Sequence, residues 1–405
     1  MNGASVSQDV LRKTMPLLHA GFIVTGIFTV LLGPVLPLLA QRWSLSDSQT
    51  AVFFAAQFGG LLIGVAVSSY LLQQTYRPAF ISGFLLMGLG AATLGRGPWQ
   101  TALLSFFCMG LGNGFITAAT NLWVGEAVPE RKARALSFVN FSWTIGAVSC
   151  PFLFKFFASP RAFLQVLVLI CGVTTAVAIA FAASDVDSLS QHSARARTAS
   201  ETARIQFDSS AAIFSLLFFL YVGAETAVGG WLATYSRRVT GAAGTAWILA
   251  PAFFWMGMMV GRGLGTLALR RIPERLVVQS GSLLGFGGIA FLTQTKGVGS
   301  IYAAAFVTGL GFSVIFPILF AWMASHYGAD ARIMSGRMLA IGELGAAGIP
   351  WVVGVISAVV GSLRFGLSLL LADLGAVFLL ATIIHLPQDI DGMRRAPAVE
   401  LETPR

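Results

Sequence analysis

Twelve apolar stretches, each long enough to cross a bilayer, run through this chain of 405 residues almost without pause. A helix needs about 20 mostly apolar residues to cross a hydrocarbon core of roughly 30 Å. No water reaches the backbone inside that core, so each crossing segment must close its own N–H···O=C bonds as a helix. Hydrophobic residues make up 56% of the sequence and charged residues only 11%, too little charge to cover a water-facing surface of this size. The expected class is an all-α integral membrane protein with twelve transmembrane helices in two pseudo-symmetric six-helix bundles.

The predicted spans fall in two blocks of six. They are 15–39, 48–72, 78–96, 99–126, 134–158 and 161–183, then 209–237, 243–268, 274–293, 298–326, 333–360 and 362–386. Residues 184–208 between the blocks are polar, rich in Ser, Ala and Arg, and lack an apolar period, as a flexible linker would. The expected organisation is an N-terminal bundle over 1–183, a cytoplasmic linker over 184–208, a C-terminal bundle over 209–386 and a cytoplasmic tail over 387–405.

Orientation follows from Lys and Arg, which concentrate in cytoplasmic loops. With the N-terminus inside, seventeen basic residues fall on the inner side and eight on the outer, with Arg262 left inside the eighth span. Both termini are therefore expected in the cytoplasm, with the chain in the cell membrane. The net charge of +9 then has a topological cause, and nucleic-acid binding is not needed to explain it. The pair Arg237–Arg238 is an outer-side exception with no explanation in the sequence. Cys108, Cys150 and Cys171 all lie in spans and read as packing residues rather than a disulfide or metal set.

The two blocks repeat each other. A shift of 199 places Gly110, Gly112, Gly146 and Pro151 on Gly309, Gly311, Gly345 and Pro350, and Trp123 on Trp322. A shift of 197 places Gly26, Gly60 and Gly64 on Gly223, Gly257 and Gly261. Six-helix repeats joined by a cytoplasmic loop build alternating-access carriers, whose substrate site lies at the midplane between the halves.

This layout resembles the major facilitator superfamily over essentially the whole chain. Gly64 and Arg77 match the superfamily signature between the second and third spans, while Ser68 stands where an Asp is customary. Segment 121–151, with Asn121, Glu126, Pro129, Arg134, Asn140, Gly146 and Pro151, is similar to the fucose/glucose-permease branch, as is 221–235. The resemblance implies a secondary-active sugar carrier driven by protons or sodium. The fucose symporters carry an acid in the middle of the fourth span, where this chain has Asn113, Phe115 and Thr117.

Ionisable groups deep in a membrane cost ~2.5–3.5 kcal/mol on insertion scales and so face a cavity or a partner. Glu225 and Glu343 lie near the middle of the seventh and eleventh spans. Either can carry a proton, ligate Na⁺ or accept hydrogen bonds from substrate hydroxyls, the alternative being a structural bond to a neighbouring helix. Tyr221 and Trp231 flank Glu225 on the same span, and Asp373 reads as structural. Asn113, Thr117 and Asn121 recur at helical spacing, and Asn140 shares a face with Thr144 beside Trp143. Amides offer donors and acceptors to hydroxyls, and an indole suits the apolar face of a pyranose. Gln57, beside Gly59 and Gly60, joins this candidate set. Glu126, Arg134 and Arg262 are candidate gating residues that would latch the cytoplasmic side through ion pairs.

No Ser-His-Asp or Cys-His set, nucleotide loop or metal spacing appears, so neither enzymatic activity nor a cofactor is expected. The partners implied are a small-molecule substrate, H⁺ or Na⁺, and membrane lipid, with the chain acting as a monomer. Two other classes stay open: a superfamily exporter of drugs or metabolites by proton antiport, and a receptor or scaffold that does not transport.

Overall fold

The computed structural model describes residues 8–72, 75–128, 131–156, 160–189, 208–241 and 244–384. The first span is a broken helix, α1a (Gln8–Val30) and α1b (Leu32–Trp43). It is followed by α2 (Asp47–Leu71), α3 (Arg77–Thr93), α4 (Trp99–Ala127), α5 (Lys132–Phe156) and α6 (Pro160–Ala182). The second half is α7 (Ser209–Thr240), α8 (Ala250–Ala268), α9 (Glu274–Gln294), a second broken helix α10a (Val298–Phe312) and α10b (Ile315–Tyr327), α11 (Ala331–Val360) and α12 (Leu363–Ile383). All twelve expected spans are present as helices. Gln8 begins on what we term the terminal face, and α1b reaches the far face.

Local signals set the ends. Ser46 and Gln49 form a reciprocal capping box that starts α2. Asp208 caps α7 through the Ala211 amide at 2.8 Å, and Gly241 ends it at φ 76°, a left-handed backbone that suits glycine. Residues 184–189, the beginning of the expected linker, are ordered against the first half. Trp123 donates to the Val186 carbonyl at 3.0 Å, and Asp187 accepts from the Tyr76 and Arg77 amides at the start of α3.

The sequence repeat is a repeat of helix crossings. A Cβ added to Gly110 would collide with the Gln57 carbonyl oxygen, and one on Gly60 with that of Phe107, so α2 and α4 cross backbone to backbone. In the second half a Cβ on Gly309 would strike the Phe254 carbonyl, and one on Gly257 that of Phe306. The struck carbonyls obey the same two shifts as the glycines, which ties α8–α10 to α2–α4 as one motif used twice. Small residues permit this approach where no hydrophobic force drives helices together in lipid.

The halves are joined mainly through α1b–α7, α2–α11 and α5–α8. At the far face Arg238 of α7 grips Asp47 of α2 with both guanidinium nitrogens, one at 2.7 Å, while Ser357 of α11 donates to the same carboxylate at 2.5 Å. Beside it Arg237 donates to the Pro37 carbonyl at 2.8 Å and to Gln41, and its guanidinium lies 5.1 Å from the centroid of the Trp247 ring. Asp47 is 8% exposed while the Arg238 side chain is 47% exposed, so the carboxylate end of this bidentate pair is shielded and the guanidinium end still meets solvent. The Arg237–Arg238 exception to the basic-residue bias therefore serves as a clasp between halves. No comparable seam joins α4 and α5 to α10 and α11 among the described residues.

Two predictions follow from packing. Gly110→Ala and Gly309→Ala should each destabilise the detergent-solubilised protein by about 1–3 kcal/mol, read as a lower thermal midpoint. Gly172→Ala and Gly287→Ala, with open space at the Cβ position, should match wild type. Asp47→Asn should loosen the far face: hydrogen–deuterium exchange at Ser46–Thr50 and Arg237–Thr240 rises, and unchanged exchange there would refute the clasp.

Candidate functional site

A cavity of about 260 Å³ lies between the halves at mid-depth. Its position depends on a defect in the first helix. Pro34 has no N–H for the Val30 carbonyl, and Pro37 has none for that of Gly33, so the helix breaks at Leu31. Gln57 of α2 braces the turn just before the break: its Nε2 donates to the Phe28 carbonyl at 3.1 Å and the Thr29 carbonyl at 3.0 Å.

Thr29 stands just before the break and organises the first-half wall. Its hydroxyl donates to the Thr25 carbonyl at 2.8 Å and accepts from Asn113 Nδ2 at 2.8 Å and Trp143 Nε1 at 3.3 Å. Thr117 donates back to Asn113 Oδ1 at 3.3 Å. One hydroxyl thus fixes the amide of α4 and the indole of α5 in a single orientation. Asn140, one turn before Thr144, is exposed at the cavity margin with Nδ2 on the Leu136 carbonyl at 2.9 Å. The first-half wall offers amides, hydroxyls and an indole, with no formal charge.

The second-half wall holds the charges. Glu225 of α7, Arg262 of α8 and Glu343 of α11 all face the cavity, with Thr226 and Trp255. Arg262 Nη1 donates across the cavity to Thr144 Oγ1 at 2.9 Å, and neither Glu lies within ion-pair distance of it. Its Nε is buried without a partner. Trp143 and Trp255 meet edge to face across the halves, their ring centroids 5.4 Å apart. Phe22, Phe54, Phe58 and Phe316 supply apolar surface.

Of the residues expected to bind substrate, Asn113, Thr117, Asn140, Trp143 and Glu225 line this cavity, and Glu343, expected to couple, does so too. Gln57, Tyr221 and Trp231 do not, for one shared reason: their donors are taken by backbone carbonyls at or near prolines. Tyr221 donates to Phe312 at 3.0 Å, where α10 breaks before Pro317, and Trp231 donates to Pro350 at 3.0 Å. Asn121 lies one turn beyond Thr117, off the wall. Of the gating candidates, Arg262 stands inside the cavity rather than at a helix mouth. Glu126 accepts from the Tyr76 hydroxyl, and Arg134 lies over the Phe138 ring at 5.8 Å. Thr29 was missed by the sequence reading; its signal is the GPVLP run at 33–37 that breaks the helix beside it.

The family model of the Major Facilitator Superfamily matches residues 18–350. The chain belongs to this superfamily. It is 22% identical over 359 residues to the glucose/galactose transporter of Brucella abortus, covering 84% of this chain and 86% of that protein. It is 23% identical to the glucose/mannose transporter GlcP of Bacillus subtilis, over 85% and 88% of the two chains. Among solved structures it is similar to the E. coli fucose:proton symporter FucP, at 18% identity and a TM-score of 0.59 over 91% of this chain and 98% of that one. A partially occluded inward-open xylose transporter XylE from E. coli gives 12% identity and a TM-score of 0.72, over 94% and 99%.

If Thr29 holds the wall in register, Thr29→Val should weaken binding of the transported ligand about tenfold, since two hydrogen bonds lose their acceptor at roughly 0.5–1.5 kcal/mol each. Asn121→Ala should bind like wild type. Titration of intrinsic tryptophan fluorescence measures both, and an equal loss in the two variants would remove Thr29 from its role.

Proposed function

We propose that this protein is a secondary active carrier of a hexose-like sugar, working by alternating access and coupled to a proton or sodium gradient. The observation that carries this reading is the partition of one midplane cavity into a neutral hydrogen-bonding wall and a charged wall. On this reading Asn113, Thr117 and Asn140 meet sugar hydroxyls with the hydrogen-bonding capacity left beside their internal bonds, and Trp143 covers an apolar pyranose face. Glu225 and Glu343 supply carboxylates that bind a coupling ion or the sugar, and Arg262 holds a cation between them and the first half. The names of the relatives, glucose/galactose and glucose/mannose transporters, support the same substrate class.

The cavity is smaller than the roughly 300–1,000 Å³ of drug-sized pockets, which favours a small polar substrate over the bulky apolar cargo of a multidrug exporter. The basic-residue bias supports termini in the cytoplasm of a cell membrane. With that orientation the clasp at Asp47 and Arg238 closes the outer side. Glu126 and Arg134 then sit at the mouth that must shut when the carrier turns outward, where they are proposed to act as the opposing latch.

Uptake of radiolabelled hexoses into proteoliposomes, with proton and sodium gradients imposed separately, tests the proposal. Accumulation against the sugar gradient is expected under one of the two. Glu225→Gln should abolish it, while Asp373→Asn, away from the cavity, should retain it. Full accumulation by Glu225→Gln would sink the coupling role, and no uptake of any hexose by wild type would favour the exporter.

A further inference from the structure

A second recess lies far from the central cavity. At the far face a groove of about 420 Å³ opens between the end of α1b, the α3–α4 turn and the first half of α6. Arg42 and Arg96 stand on it, and Ala92, Leu164, Leu167 and Val168 line it with apolar surface. Leu164 and Val168 are 44% and 63% exposed on a helix that crosses the membrane, so the groove runs out onto lipid-facing surface.

Its charge is one-sided. Segments 30–46, 91–105 and 160–175, which meet here, contain no Asp or Glu. The next acid along the chain, Asp47, is committed to Arg238 and Ser357. Both arginines are exposed, and neither engages a carboxylate among the described residues. Arg42 also lies 5.5 Å from the centroid of the Trp43 ring, and two exposed guanidiniums without carboxylate partners beside an apolar wall suit an anion that brings its own apolar tail. Guanidinium forks match phosphate oxygens in pairs, and acyl chains match Leu164 and Val168. A soluble anion would satisfy only the first requirement.

We propose that this groove binds the phosphodiester headgroup of an anionic phospholipid, with its acyl chains lying along α6. The site is independent of the sugar reading and stands whatever the cargo is.

Native mass spectrometry of the full-length protein in detergent, titrated with phosphatidylglycerol or phosphatidylcholine, tests it. Wild type should bind phosphatidylglycerol more tightly than phosphatidylcholine, and millimolar inorganic phosphate should not displace it. At about 1 kcal/mol for each basic side chain, Arg42→Gln/Arg96→Gln should weaken phosphatidylglycerol binding roughly 30-fold, and each single variant about fivefold. Arg270→Gln, an exposed change at the terminal face, should bind like wild type. Equal binding of the two lipids by wild type, displacement by free phosphate, or undiminished binding in the folded double variant would each overturn the proposal. Should the double variant fail to fold, the single variants and the wild-type comparisons decide it.

Discussion

A backbone carbonyl without a donor inside lipid costs several kcal/mol, and the centre of this molecule is organised around that cost. Pro34, Pro317 and Pro350 each interrupt the hydrogen-bond ladder of a membrane helix. Polar side chains on adjacent helices cover nearby carbonyls: Gln57 at the α1 break, Tyr221 at the α10 break, and Trp231 at Pro350 itself. Each donor ties a neighbouring helix to the backbone beside an interruption. Thr29 stands beside the first of these interruptions, where its hydroxyl donates to its own helix and accepts from Asn113 and Trp143.

The two bundles are stiffened by the glycine crossings and joined by charged or aromatic contacts. Backbone-to-backbone contact at Gly110 and Gly309 makes α2–α4 and α8–α10 rigid pairs. Between halves the strongest polar tie lies at one end, where Arg238, Asp47 and Ser357 share a single carboxylate. Two stiff bodies tied at one end and parted at the other form the arrangement that rocking requires. The Arg262–Thr144 bond and the Trp143–Trp255 contact sit between the tie and the opening, so motion of the halves must change both.

The sequence made the fold legible because membrane helices are written in hydropathy, and the crossings because glycine matches without gaps survive in an apolar alphabet. It also located Asn113, Thr117, Asn140, Trp143, Glu225 and Glu343, which share the cavity. It misplaced Gln57, Tyr221 and Trp231, because a polar tip in an apolar helix looks the same whether it turns to a cavity or to a carbonyl. The pairing of Arg238 with Asp47 spans 191 residues and follows no local period, so it emerges only once the helices are assembled. Thr29 was hidden for the opposite reason: a lone hydroxyl is common in such helices, and only its distance from Pro34 marks it.

The cavity's division of labour bears on how such a carrier can change over generations. Its hydroxyl- and amide-bearing wall comes from α1, α4 and α5, and its ionisable groups from α7, α8 and α11. Substitutions in the first set can alter which molecule is held while leaving the charges in the second in place. Under the proposed roles, the neutral and the ionisable walls are encoded in separate stretches of the gene, so selection can revise one without rebuilding the other.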